Sequence, residues 1–364
     1  MRPTLSIIVP FHKGLAFLER ALAGLTPLSP GDELIVAADG AVDDCHALAA
    51  RYGARVIEIA GPRGPAVARN VAAASTAGDV LVFVDADVVA SPETLGRIAR
   101  LFADRPNLTA VFGAYDDHPG DQGFFSQYKN LSHSYIHRSS NGPAKTFWAG
   151  FGAVRRHAFL AVGGFDERFE RPSIEDIDLG YRLSAAGYQI LLDSSLAVCH
   201  LKRWTFRGMV KSDILDRGIP WTQLILRYSQ FANDLNLRTT YRLSVAGAYL
   251  TVLFAIAGLL APPLALLALV PLALVIYWGR DYYRFFLGQR GLWFALRVIP
   301  VHFLSHLYNG VSFIAGTLLF MMARRNVHLP GALPAYAPDG NQQPSSLSAR
   351  AGVGVGAPRI ASDH

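Results

Sequence analysis

Between Leu243 and Gly279 the chain runs for 37 residues without a charge. A single helix of that length would measure roughly 55 Å at about 1.5 Å per residue, against a bilayer hydrocarbon core of about 30 Å. The stretch is therefore expected to fold back as two helices, broken at Ala261-Pro262-Pro263. Such a hairpin returns Arg242 and the cluster Arg280, Arg284 and Arg290 to one face, as the positive-inside rule requires of a cytoplasmic face. A third apolar stretch, 298–322, follows an interfacial segment, 282–297, giving three crossings, although Arg324-Arg325 pulls against an odd number. The chain thus divides into an N-terminal domain (1–235), a membrane region (236–325) and a Pro-, Gly-, Ala- and Ser-rich tail (326–364) expected to be disordered.

Composition agrees with that division. Apolar residues make up 51% and charged ones only 17%, where a soluble domain usually carries about 25%, and the apolar excess lies after residue 242. No secretory leader is expected, because the apolar run Leu5 to Val9 is too short and is closed by Pro10. The expectation is a multi-pass cell-membrane protein whose N-terminal domain stays cytoplasmic. Cys45 and Cys199 fit no metal-ligand or redox spacing and read as reduced thiols.

The first hundred residues alternate short β-branched runs (Leu5–Val9, Glu33–Ala38, Arg55–Ile59, Val80–Val84) with segments of helical apolar spacing (Leu15–Leu25, Asp43–Tyr52, Pro65–Ala77). This alternation predicts an α/β fold with a Rossmann-like, mostly parallel sheet. Ligands of such sheets bind beyond the carboxyl ends of the strands. The residues there are Pro10-Phe11-His12, Asp39-Gly40, Gly61-Pro62-Arg63-Gly64 and Asp85-Ala86-Asp87. None forms a dinucleotide fingerprint or a P-loop, which disfavours nicotinamide enzymes and ATPases.

Asp85 and Asp87 on a turn after a buried strand are suited to a hard divalent cation bridging two phosphates. Asp39 is either a plain turn residue or an acceptor for a nucleotide's base or ribose. Arg69 is either a surface residue or a diphosphate partner. Glu175-Asp176 opens a helical segment and serves either the helix dipole or proton abstraction from a hydroxyl. His200 follows a strand, as a structural histidine or a metal ligand. From Lys202 to Arg242 eight basic residues are interleaved with Trp204, Phe206, Trp221 and aliphatic side chains, a pattern suited to an anionic membrane surface.

Taken together, Ser6-Ile7-Ile8-Val9-Pro10, Ala68-Arg69-Asn70, Phe83-Val84-Asp85-Ala86-Asp87, Gly163-Gly164-Phe165-Asp166-Glu167 and Glu175-Asp176 resemble, in order and spacing, a family 2 inverting glycosyltransferase of the GT-A fold. The resemblance covers roughly residues 3–205. It implies a nucleotide-sugar donor held by Pro10, Phe11, Asp39, Arg69 and Asp85, and Mg²⁺ or Mn²⁺ at Asp85, Asp87 and His200. It also implies Asp176 as general base with Glu175 beside it, and an acceptor met by Trp148, Gly164, Arg203 and Trp204. Ala38 and Ala41 stand where the family has an acid and a serine, leaving Asp39 alone for the base. His200-Leu201-Lys202-Arg203-Trp204 is similar to the Gln-x-x-Arg-Trp motif of processive synthases, but its short spacing from Asp176 favours a non-processive enzyme. The expected acceptor is a lipid-linked molecule or glycolipid at the membrane. A processive polysaccharide synthase and a catalytically silent membrane-tethered binding protein are the alternatives. A nucleic-acid binder is not expected, since only the pI near 9.4 speaks for it.

Overall fold

A computed structural model describes residues 1–169, 172, 174–229 and 238–323. The chain opens with β1 (Leu5–Phe11), α1 (Leu15–Leu25), β2 (Glu33–Asp39), α2 (His46–Arg51), β3 (Arg55–Ile59), α3 (Pro65–Ala74) and β4 (Val80–Val84). These strands pair in parallel in the order β3-β2-β1-β4, with Ile8 of β1 between Ile35 and Phe83. Strand β4 is buried at every position, which is why it reads as an unbroken apolar run. Helix α3 stops at Ala74, earlier than its apolar spacing predicts. The Ser75 and Thr76 hydroxyls donate back to the Ala72 and Ala73 carbonyls and end it. Gly78, which reads as the helix stop, serves a close approach instead: a Cβ there would lie 2.4 Å from Ser6 Oγ.

The second half is β5 (Val88–Val89), α4 (Pro92–Asp104), β6 (Leu108–Tyr115), α5 (Phe124–Ser139), β7 (Gly142–Ala144), β8 (Phe151–Arg155), α6 (Arg156–Ala161), α7 (Glu175–Ala185) and β9 (Gln189–His200). Here the sheet becomes mixed. Strand β8 runs antiparallel between β4 and β6, β9 lies parallel to β6, and both β5 and β7 pair antiparallel with β9. Strand β9 runs on to His200, with Asp193-Ser194-Ser195 an irregularity within it, held by Arg97 and by the Ser195 amide donating to Asp193 Oδ1 at 3.0 Å. Its length carries His200 to the functional edge.

The C-terminal part comprises α8 (Phe206–Lys211), a π-helical segment (Ser212–Gly218), α9 (Ile219–Tyr228), α10 (Thr239–Ala257), α11 (Pro262–Leu267), α12 (Leu269–Trp278) and α13 (Arg280–Ala323). Helices α10 and α13 are long and apolar enough to cross a bilayer, by length and composition. After α10 the chain turns back at Gly258, where a Cβ would lie 2.5 Å from that of Ala265, and Gly247 lets α10 lie close against Val275 of α12. Leu259 and Leu260 at that turn are 83% and 92% exposed, apolar surface that water does not favour. Helix α13 breaks at Gly291 (φ +77°), so the interfacial and third apolar segments part there and not near residue 298 as the sequence predicts. Beyond the break, Gly316 packs against Thr222 of α9. Both thiols, Cys45 and Cys199, are free. The expected boundary at 235–236, Arg324-Arg325 and the tail 326–364 lie outside the described residues.

Candidate active site

One cleft of about 1650 Å³ opens over the carboxyl ends of β1, β2 and β4 and is closed on its far side by residues 202–217. Pro10, Phe11, Asp39, Arg69, Asp85, Asp87, Trp148, Glu175, Asp176, His200 and Trp204 all line it. Gly164 and Arg203 do not. Gly164 (φ +70°) sits behind the wall, where a Cβ would meet Asn70 Oδ1 at 2.6 Å, and Arg203 is exposed.

The first wall is the sheet edge. Asp39 ends β2 and accepts from the Arg63 amide (2.8 Å) and the Gly64 amide (2.7 Å). It thereby shapes the loop that starts α3, and its remaining lone pairs face the cleft. Arg69, on α3 and 4% exposed, donates to Asp85 Oδ1 (2.7 Å) and to Glu175 Oε1 (2.8 Å). The guanidinium thus stitches the end of β4 to the start of α7 and keeps a buried and a half-buried carboxylate compatible. Its contacts are these carboxylates, so Glu175 is spent on Arg69 and Asp85 is fixed from one side.

The Asp85 amide donates to the Gly150 carbonyl (3.1 Å), and β5 begins directly after Asp87 by pairing Val88 with His200. This pairing, not sequence proximity, places His200 Nε2 3.5 Å from Asp87 Oδ2. Asn130 of α5 donates from Nδ2 to the Ser126 carbonyl (2.9 Å), which leaves its Oδ1 as the acceptor facing His200 Nδ1 at 2.6 Å. His200 Nδ1 must therefore carry a proton, and in the neutral ring the lone pair is on Nε2, facing the Asp87 carboxylate. Tyr115 stacks on the imidazole at 4.4 Å and 6° and fixes its plane.

Two electron-pair donors facing one another, with the imidazole oriented through its other nitrogen, fit a divalent cation. Among the described residues no three His, Cys, Asp or Glu side chains converge tightly enough to hold one alone. Asp87 and His200 would supply two ligands, Asp85 support from its unpaired oxygen, and phosphate oxygens the remainder. Burial works to raise the Asp87 pKa; with no cation between them, it is the imidazolium form of His200, donating from Nε2 and carrying its charge, that with the Lys202 charge holds it below the usual carboxylate value. Asp85 goes the other way, raised by burial and by Asp87 against the opposing Arg69.

Asp176, next to Glu175 at the start of α7, also lines the cleft. Its carboxylate accepts from the Ala149 amide (3.1 Å), next to Trp148, whose ring packs edge-on against Tyr115 at 4.9 Å. Gly180, one turn further along α7, makes that approach feasible, since a Cβ there would lie 2.3 Å from the Phe147 nitrogen. Burial, and then the Glu175 charge, push the Asp176 pKa up to about 7, with the Ala149 amide, Arg217 and Arg69 opposing. A carboxylate in that range suits proton transfer near neutral pH.

Sequence reasoning missed Tyr115, Asn130, Lys129 and Arg217. A signal for Asn130 existed: Ser126, Asn130, Ser134 and His137 recur at helical spacing along α5 and are all buried, a polar stripe that only a polar site explains.

A parallel α/β half-sheet continued by antiparallel strands, with an acid pair at the end of its fourth strand, is the arrangement of the GT-A fold. Residues 6–163, under half of the chain, match the model of Glycosyl transferase family 2, and together with the relatives below this makes the protein a transferase. The succinoglycan biosynthesis protein ExoA of Rhizobium meliloti is 26% identical over 239 residues, which cover 58% of this chain and 69% of that protein. The validoxylamine A glucosyltransferase of Streptomyces hygroscopicus subsp. jinggangensis is 28% identical over 225 residues, 51% of this chain, which spans only 52% of that enzyme's length. In fold, the chain is similar to a mannosyltransferase of Pyrobaculum calidifontis, solved with GDP-Man and Mn²⁺, at a TM-score of 0.51 and 17% identity, covering 89% and 88% of the two chains.

Proposed function

We propose that the protein transfers a sugar, with inversion and with the help of Mg²⁺ or Mn²⁺, from a nucleoside-diphosphate sugar to a lipid-linked acceptor at the membrane surface. The observation that carries this reading is that Asp85, Asp87, His200 and Asp176 line one cleft. Pro10, Phe11 and Asp39 hold the nucleoside end, and Asp85 and Asp87 sit where the diphosphate reaches the sheet. Asp176 takes the proton from an acceptor hydroxyl positioned against Trp148, and that oxygen attacks the anomeric carbon in line. A cation bound at Asp87 and His200 would supply Lewis-acid stabilisation of the departing diphosphate. Arg69 holds Asp85 and Glu175 in place throughout.

Helices α10 and α13, with the apolar pair α11–α12 between them, support a bilayer location for the domain. The basic face from Lys202 onward would then lie against the cytoplasmic leaflet, within reach of a lipid-borne acceptor. Residues after about 236 act as the anchor in this reading, and the N-terminal domain as the catalytic part.

Release of sugar from a panel of nucleotide sugars, with and without Mn²⁺ or Mg²⁺, tests the donor and metal assignments together. Wild-type protein is expected to turn over one donor class only with metal, and Asp87→Asn to lower that rate by about 100-fold or more. Full activity of Asp87→Asn would refute the metal site.

A further inference from the structure

The far wall of the cleft is built on the π-helical segment Ser212–Gly218, a geometry that recurs at functional sites. Gly218 lets it lie directly on α13, since a Cβ there would come within 2.6 Å of that of Ser312. Asp213, in its first turn, is fully engaged. It pairs with Lys129 of α5 and accepts from the Tyr308 hydroxyl of α13 at 2.8 Å. Arg217, one turn later, is the contrast. It is half-buried and lines the cleft, yet it makes no hydrogen bond or ion pair with any described residue. Its charge reaches Asp176, where it opposes the raised carboxyl pKa, and also Tyr115 and His133. Lys202 lies over the Trp204 ring at 4.4 Å, and its charge acts on Asp87. Arg217 and Lys202 thus both line the cleft, and the charge of Arg217 is felt at the base.

A fork of donors held half out of water without a partner is matched by a planar or tetrahedral anion. We infer that Arg217 is the acceptor's anion-binding residue, and that the acceptor carries a phosphoryl group close to the hydroxyl that Asp176 deprotonates. This rests on the sugar-transfer reading and gives it the acceptor's charge. The segment's seat on α13 favours a lipid phosphate over a soluble one.

The test uses the full chain in detergent micelles with saturating nucleoside diphosphate and Mn²⁺, so that the donor side is filled. Quenching of the cleft tryptophans Trp148 and Trp204 reports titration with a long-chain prenyl phosphate, the matching prenol, and inorganic phosphate. The prenyl phosphate is expected to bind, with Arg217→Gln weakening it roughly tenfold or more and Arg217→Lys recovering part of the loss. Inorganic phosphate binding as tightly as the prenyl phosphate, and equally lost in Arg217→Gln, would keep the phosphoryl site and assign a soluble acceptor. Equal wild-type binding of prenol and prenyl phosphate, or unchanged phosphate binding in a folded Arg217→Gln, overturns the inference. Wild-type donor turnover by water is read in parallel. Its absence sinks the transferase mechanism and leaves the anion measurement standing.

Discussion

Asp176→Asn is expected to lower the rate of sugar transfer by roughly 10²–10⁴-fold, the usual contribution of a positioned general base, while nucleotide-sugar binding survives. The Ala149 and Ile177 amides donate to different oxygens of the carboxylate, at 3.1 and 2.8 Å, so the asparagine oxygen keeps one of these bonds and loses the other, a local change on the wall beside the loss of the proton acceptor. Wild-type activity should carry the same signature in its pH profile. With the Asp176 pKa raised to about 7 by burial and Glu175, the carboxyl is protonated and inactive below that value. Transfer should therefore rise with pH through about 7 and level off above it. The measurements are kcat for transfer from pH 5 to 9, and donor affinity by calorimetry. Loss of donor binding in Asp176→Asn would take away its role as base.

The second large effect is on stability. Arg69→Met should destabilise the protein by about 3–5 kcal/mol, because it breaks the buried pair with Glu175 and leaves that carboxylate beside the half-buried Asp85 without their shared cation. Arg69→Lys should not restore the wild type, since one ammonium cannot reproduce the two divergent hydrogen bonds of 2.7 and 2.8 Å. Urea unfolding of the three proteins, followed by circular dichroism, gives the comparison. A change below about 1 kcal/mol in Arg69→Met would show that these carboxylates accommodate each other by protonation instead.

The half-sheet was legible in the sequence because β1, β2 and β4 are buried on both faces and its strands stand between turn residues, so period and punctuation agree. Helix α1 and strands β3 and β4 lie where the pattern predicts them. The antiparallel insertion of β8 was not legible, because Phe151–Arg155 carries the same apolar signal whichever way it runs. The acid pair was found from its place after β4. Its surroundings were not, since they are made by long-range pairing. Asp87 meets His200 only because Val88 pairs across 112 positions with the end of β9, and Asn130 orients that histidine from a third element. Arg217 looked like one basic residue among eight. What sets it apart is a lack of partners among the described residues, which charge counting cannot reveal. Gly164 shows the reverse case: a motif glycine near the site that serves backbone conformation.

The central claim is a single in-line displacement across this cleft. Proton NMR of the sugar released from an α-linked nucleotide sugar, recorded before mutarotation, tests it most directly. The account predicts that the first-formed sugar is the β anomer, in a reaction that requires a divalent cation. Release of the α anomer, requiring a nucleophile on the protein between two displacements, would contradict it.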